Sequence, residues 1–230
     1  MKWLTFDIIG TVFDVYGGLA NHLGPMARKH GRTIDGCAYA SRWIAGYGAG
    51  VTAVNDGSRA WLPPDQLLEH ALAALFAADG RKAPSAKELA DFLGLWRRLD
   101  PWQDVEGGMA RLHHRFRLAI LSNMSVATQS ALESHADLPF DRKLSAETAR
   151  AYKPDAAVYR LAVSTLKVAP DEIMMVAAHK YDLQAASSHG FRTAFVARPH
   201  ELGPDGSVDT APDPAFDVNA TSFADLAAKL

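Results

Sequence analysis

The stretch Trp3-Leu4-Thr5-Phe6-Asp7-Ile8-Ile9-Gly10-Thr11-Val12-Phe13-Asp14 decides how the rest of the chain is read. Residues 3–9 are apolar on both faces apart from Thr5 and Asp7, the pattern of a strand buried between two helix layers in a parallel sheet. Gly10-Thr11 then makes a turn. Residues 116–121 (FRLAIL) and 173–178 (IMMVAA) predict two further strands of the same kind, and Arg192–Val196 (RTAFV) a fourth. Helical patterns at 126–134, 155–166 and 183–189 separate them. Strands alternating with helices of this length give right-handed βαβ units and a doubly wound sheet, an α/β fold.

Between the first strand and the others, residues 17–99 hold four helix-like segments and no convincing strand. Gly17-Gly18 opens the stretch, Gly31 and Asn55-Asp56-Gly57 interrupt it, and Pro63-Pro64 starts a new helix, where proline is tolerated in the first turn. In residues 65–78, Leu68, Leu72, Leu75 and Phe76 share one face. Ser85 and Glu88 form a capping-box pattern, and Asp100-Pro101 ends the last helix. The expected layout is a core of residues 1–14 and 101–230 with a helical unit, 15–100, inserted in it. Residues 200–214, rich in Pro, Gly and Asp, predict a long surface loop before a short final helix.

Composition narrows the function. Of 230 residues, 48% are hydrophobic and 22% charged, which fits a globular protein. The 24 Lys and Arg against 26 Asp and Glu leave no basic excess for tracking phosphates, so no nucleic-acid partner is expected. Cys37 is the only cysteine, which excludes an intrachain disulfide and a cysteine metal cage. No apolar run reaches the roughly 20 residues of a membrane span, and Asp7 comes too early for a secretory leader. A soluble cytoplasmic protein is the expectation.

Ligands of open α/β sheets sit outside the carboxyl ends of the strands. That rule collects Asp7 and Thr11 after the first strand, Ser122-Asn123 after the second, and His179 and Asp182 after the IMMVAA strand. Lys153-Pro154 precedes a helix in the same layer. An Asp closing a strand also serves as a turn former and a Ser-Asn pair as a helix cap; it is their convergence from distant parts of the chain that points to a site.

These residues carry a resemblance. Residues 6–14 (FDIIGTVFD) resemble the nucleophile loop of the haloacid dehalogenase superfamily. Leu121-Ser122-Asn123 is similar to its second motif, Tyr152-Lys153-Pro154 to its third, and residues 176–182 (VAAHKYD) to its fourth. The resemblance implies a Rossmann-like core, a helical cap domain and Asp7 as covalent nucleophile. Phosphatases of the superfamily carry a second Asp two residues after the nucleophile, where this chain has Ile9, and a metal-ligand carboxylate where it has Ala178. Halide leaves without protonation and needs neither, so the chain resembles the L-2-haloacid dehalogenases, without metal or other cofactor. The implied substrates are short 2-haloalkanoic acids. Since members are often dimers, a homodimer is implied as well. A phosphatase of the same fold, or a member that only binds an organic acid, are the alternatives.

By the same resemblance Lys153 holds Asp7 ionised, and Asp182, with Lys153, activates the water that hydrolyses the ester. Thr11 orients Asp7. Ser122 and the N–H groups of Ile8 and Ile9 bind the substrate carboxylate, Asn123 touches the halide, and Tyr159, at a further family position, is counted among the substrate contacts. Trp61 is expected to line the pocket. The family's halide-cradling Arg follows a Trp of the cap, but here Trp43 precedes Ile44. The nearby cation, Arg42, is the candidate for that place and lies one residue early, about 100° around a helix. Ala177 and His179 stand where the family has Ser and Asn, and His179 is expected to contact the leaving group or assist the water. Gly46, Gly48 and Gly50 lack the strand and spacing of a phosphate loop and are read as packing positions. His113-His114 closes a helix, where positive charge suits the dipole.

Overall fold

In a computed structural model covering residues 1–230, six parallel strands form one sheet in the order β3-β2-β1-β4-β5-β6. They are β1 (Trp3–Phe6), β2 (Arg117–Ser122), β3 (Arg142–Ser145), β4 (Ile173–Ala177), β5 (Arg192–Val196) and β6 (Val218–Ala220). The four expected strands are all there. The first is shorter than its apolar run: it stops at Phe6, and Asp7, Ile8 and Ile9 belong to the loop beyond it. The two edge strands had no counterpart in the sequence reading. RKLS and VNA are short and polar, as sheet edges commonly are.

Four helices follow β1 directly: α1 (Val15–Lys29), α2 (Gly36–Asn55), α3 (Pro64–Ala78) and α4 (Ala86–Trp96). Their ends form where the sequence marks them. Asp14 and Asp35 accept from the first-turn N–H groups of α1 and α2, and both halves of the Ser85–Glu88 capping box are made at α4. This helical insert has its own aromatic core. Trp43 packs edge-on against Trp96, and Trp43 Nε1 donates to the Leu68 carbonyl at 2.8 Å. The remaining helices are α5 (Val105–His113), α6 (Val126–Ala136), α7 (Ala146–Ala149), α8 (Ala156–Leu166), α9 (Lys180–Ser188) and α10 (Phe223–Lys229). No helix is long and apolar enough to cross a membrane.

The two crossings into and out of the insert are tied together. Asp14 N–H donates to the Asp100 carbonyl and Trp102 N–H to the Val12 carbonyl, each at 3.0 Å. Beside them, Trp102 Nε1 and Arg198 Nε each donate at 2.9 Å to the carbonyls of Gly10 and Thr11, and Asp104 holds the Arg198 guanidinium. The loop after β1 is thereby fixed from below. β1 lies between β2 and β4, at the switch point of the sheet, and its carboxyl end faces the insert.

Candidate active site

Asp7 stands at the tip of β1, where its own N–H still donates to Val176 of β4. Its Oδ2 accepts from Thr11 Oγ1 at 2.9 Å and faces His179 Nδ1 at 3.0 Å, while Oδ1 lies 3.4 Å from Lys153 Nζ. Thr11 is held in turn, because its Oγ1 accepts the Ala178 N–H at 2.9 Å. Burial alone would raise the Asp7 carboxyl. The Lys153 ammonium, the bond and charge of His179 and the Thr11 hydroxyl outweigh it and hold the group at about 2. Asp7 is therefore an anion at neutral pH.

Lys153 is enclosed, with 2% of its side chain exposed, and its strong partner is Asp182 Oδ2 at 2.6 Å. The other Asp182 oxygen accepts from the Tyr159 hydroxyl at 2.7 Å. Each oxygen of Asp182 thus holds one donor. The carboxylate is buried behind the lysine, anchors the ammonium and does not line the cavity. Tyr159 is likewise a buried prop for Asp182 and does not reach the cavity, contrary to the expectation of substrate contact.

His179 is the cation the sequence left without a settled role. Its Nε2 faces Glu201 Oε1 at 2.6 Å, so both ring nitrogens meet carboxylates. Burial opposes charge on the ring, but the hydrogen bonds and charges of Asp7 and Glu201 raise the imidazole well above its usual value. The ring of Tyr181 stacks on its outer face. Glu201 comes from the loop after β5, and its approach explains Gly10. That residue has φ +80°, and a Cβ there would collide with the Glu201 carboxylate.

A cavity of about 540 Å³ opens over Asp7, between the sheet and the insert. From the sheet side Ile9, Ser122, Asn123, Lys153 and His179 line it; Ile44, Tyr47, Val51 and Asn55 of α2 roof it, and Leu202 and Val208 close one flank. The N–H groups of Ile8 and Ile9 and the Ser122 hydroxyl proton make no hydrogen bond inside the protein, a set of free donors next to the carboxylate. The Ile8 side chain is fully buried, so that residue offers its backbone alone. The Lys153 N–H donates to Asn123 Oδ1 at 2.8 Å, which leaves Asn123 Nδ2 as the free end of that amide.

Two expected pocket residues lie elsewhere. Arg42 pairs with Asp79 at 3.0 Å and lies over the Tyr39 ring, away from the cavity, as its position one residue before Trp43 on α2 requires. Trp61 packs under the Arg150 guanidinium, 4.6 Å from its ring centre, outside the cavity. Sequence reasoning in turn missed Glu201, Tyr47 and Tyr181. The strand-end rule would have led toward Glu201 had it been applied to the Arg192–Val196 strand. Tyr47 carried no signal, since its helix reads as apolar nearly all round.

Residues 1–190 match the model of the haloacid dehalogenase-like hydrolases. The chain is 29% identical to the (S)-2-haloacid dehalogenase of Pseudomonas sp. (strain YL), over 86% of this chain and 83% of that one. Among solved structures, an L-2-haloacid dehalogenase superposes with a TM-score of 0.93 at 37% identity, over 100% of this chain and 98% of its own. Another, described as a defluorinating L-2-haloacid dehalogenase, superposes with a TM-score of 0.95 at 32% identity, over 100% and 95%. With fold, site order and sequence in agreement over the full length, the chain belongs to the haloacid dehalogenase-like hydrolases and, within them, to the L-2-haloacid dehalogenase family.

Proposed function

We propose that this protein hydrolyses short 2-haloalkanoic acids, namely haloacetates and L-2-halopropionate, to 2-hydroxy acids through an ester on Asp7. The observation that carries the reading is the inequality of the two Asp7 oxygens. Oδ2 is engaged by Thr11 and His179, whereas Oδ1 has only the 3.4 Å contact with Lys153 and keeps a lone pair free. Oδ1 attacks the halogen-bearing carbon and the halide leaves with the bonding pair, so this step needs no proton donor. Ser122 and the N–H groups of Ile8 and Ile9 hold the substrate carboxylate, and Asn123 Nδ2 faces the departing halide.

Esterification removes the charge on Asp7 that, with Glu201, kept His179 protonated. The imidazole then releases its Nδ1 proton to solvent through the cavity mouth, while Glu201 keeps the ring oriented through Nε2. Nδ1 next takes a proton from water as the water oxygen adds to Asp7 Cγ. The tetrahedral adduct collapses, the ester C–O bond breaks, and Nδ1 returns the proton to the departing alkoxide. The 2-hydroxy acid leaves, and the proton that the added water left on the Asp7 carboxyl passes to His179 Nδ1, which restores the carboxylate–imidazolium pair with one water consumed and one proton released per halide. The assignment of the base to His179 rather than Asp182 rests on Asp182 having both oxygens engaged away from the cavity.

Phosphoryl transfer is less well supported, because Ile9 has no proton to give and the Lys153 ammonium fills the space between the two carboxylates. The test is halide release from chloro-, bromo- and fluoroacetate and from both enantiomers of 2-chloropropionate, with and without EDTA. Single turnover in heavy-oxygen water should label the Asp7 side chain before the product. Phosphate release dependent on Mg²⁺ with no halide release, or label reaching product in the first turnover without entering the protein, would overturn the reading.

A further inference from the structure

We propose that Tyr47 and Asn55 of α2 are positioning residues for this reaction, coupling the seating of the helical insert to the placement of Asn123 and Lys153. The inference rests on the dehalogenase reading above for the roles of those two residues. Residues 47, 51 and 55 fall at helical i, i+4, i+8 spacing and so share one face of α2. Val51 in the middle lines the cavity, and its polar neighbours reach across to the sheet on either side. The Tyr47 hydroxyl donates to the Asn123 carbonyl at 3.1 Å, and Asn55 Nδ2 donates to the Lys153 carbonyl at 3.0 Å. Burial raises the Tyr47 phenol well above its usual value, so it remains a protonated donor.

These bonds close a circuit. Asn123 and Lys153 lie on loops 30 residues apart and are already joined by the Lys153 N–H to Asn123 Oδ1 bond. α2 therefore grips, at their backbones, the residue that supplies the nucleophile's cation and the residue whose free amide end faces the leaving group. Any opening between insert and sheet that admits substrate breaks both grips together, and closing restores them. Other bonds across the same interface lack this property. His135 Nε2 of α6 lies 3.1 Å from Asp100 Oδ1, where the chain leaves the insert, and this contact holds neither of the two loops.

The experiment compares Tyr47→Phe, Asn55→Ala, the double variant and His135→Ala with the wild type. The readouts are chloroacetate kinetics and the exchange rate of the Lys153 amide hydrogen. Tyr47→Phe and Asn55→Ala are each expected to lower kcat by roughly 2- to 10-fold, the loss of one neutral hydrogen bond, with KM changed by less than about twofold. The double variant should lose less than the product of the two, because one cut already opens the circuit. Both single variants should speed exchange of the Lys153 amide, while His135→Ala leaves kcat and that amide unchanged. Unchanged kcat with unchanged Lys153 exchange, or a rise in KM alone, would overturn the proposal, as would equal effects from His135→Ala. A wild type that releases no halide refutes the dehalogenase reading instead, and the coupling is then decided by amide exchange alone.

Discussion

Replacing His179 with asparagine should separate the two chemical steps. Asp7, held at about 2, lies roughly 5 units below neutral pH, or about 7 kcal/mol at 1.36 kcal/mol per unit. Removing one hydrogen bond to a charged group takes away about 1.5–3 kcal/mol of that. Lys153 stays in place, so Asp7 remains ionised and still displaces halide. Hydrolysis, by contrast, loses its base, and general-base catalysis is worth about 10²- to 10⁴-fold, which is about 3–5 kcal/mol of barrier. Rapid-quench kinetics with bromoacetate should show a burst of one halide per active site followed by slow turnover. Intact-protein mass should then show one carboxymethyl group, mapped to Asp7. Glu201→Gln should slow the same step less, since it weakens the orientation of the imidazole and leaves the ring. Loss of the burst together with turnover, or wild-type turnover in His179→Asn, would refute the assignment of the base.

Lys153→Met leaves Asp7 and Asp182 facing each other without the cation that lies within reach of both. Uncompensated burial should cost about 3–5 kcal/mol in denaturant unfolding, and proton uptake by the pair should abolish the halide burst at neutral pH. Arg42→Ala should leave kcat/KM unchanged, because its ion pair with Asp79 lies outside the cavity and half-exposed pairs contribute only about 0.2–1 kcal/mol of stability; a large loss of activity would return Arg42 to the site. The raised His179 value implies stability that is complete below the ordinary imidazole value of 6.5 and declines as pH rises through the native one. Thermal unfolding measured against pH should show that decline, and His179→Asn should flatten it.

The fold was legible where physics acts locally. Apolar runs, caps and proline breaks are properties of a few adjacent residues, and they marked β1, β2, β4, β5 and the four helices of the insert. β3 and β6 escaped because an edge strand need not be apolar, and RKLS pairs through its backbone whatever its side chains are. Within the site, Asp7, Thr11 and Lys153 were readable because each is fixed by its own strand end or motif. What they do with their neighbours was less so. Nothing in the order of residues says that the Asp182 oxygens turn to Lys153 and Tyr159, or that residue 201 returns beneath Gly10 to meet His179. Such contacts depend on how far a loop travels in three dimensions, and a one-residue offset on α2 was enough to turn Arg42 from the cavity to Asp79.

That offset bears on how the two halves of the reaction are supported. The family pattern places a cation on the leaving-group side, after the cap Trp. Here Trp43 is buried in the core of the insert and Ile44 faces the cavity. The additional cation, His179, is on the nucleophile side instead. On the proposed reading a departing halide meets Asn123 Nδ2 beneath Ile44 and Val51, with no full charge to receive it, and the strength of the carbon–halogen bond should govern displacement more strongly. The burst rates for bromoacetate and chloroacetate should therefore differ steeply. Hydrolysis should run at one rate for both, because the halide has gone and the Asp7 ester is the same. Ile44→Arg would put a cation back on the leaving-group side, and the physical expectation is a smaller ratio of the two burst rates with hydrolysis untouched. An undiminished ratio in that variant would mean that the halide departs by a path that α2 does not line.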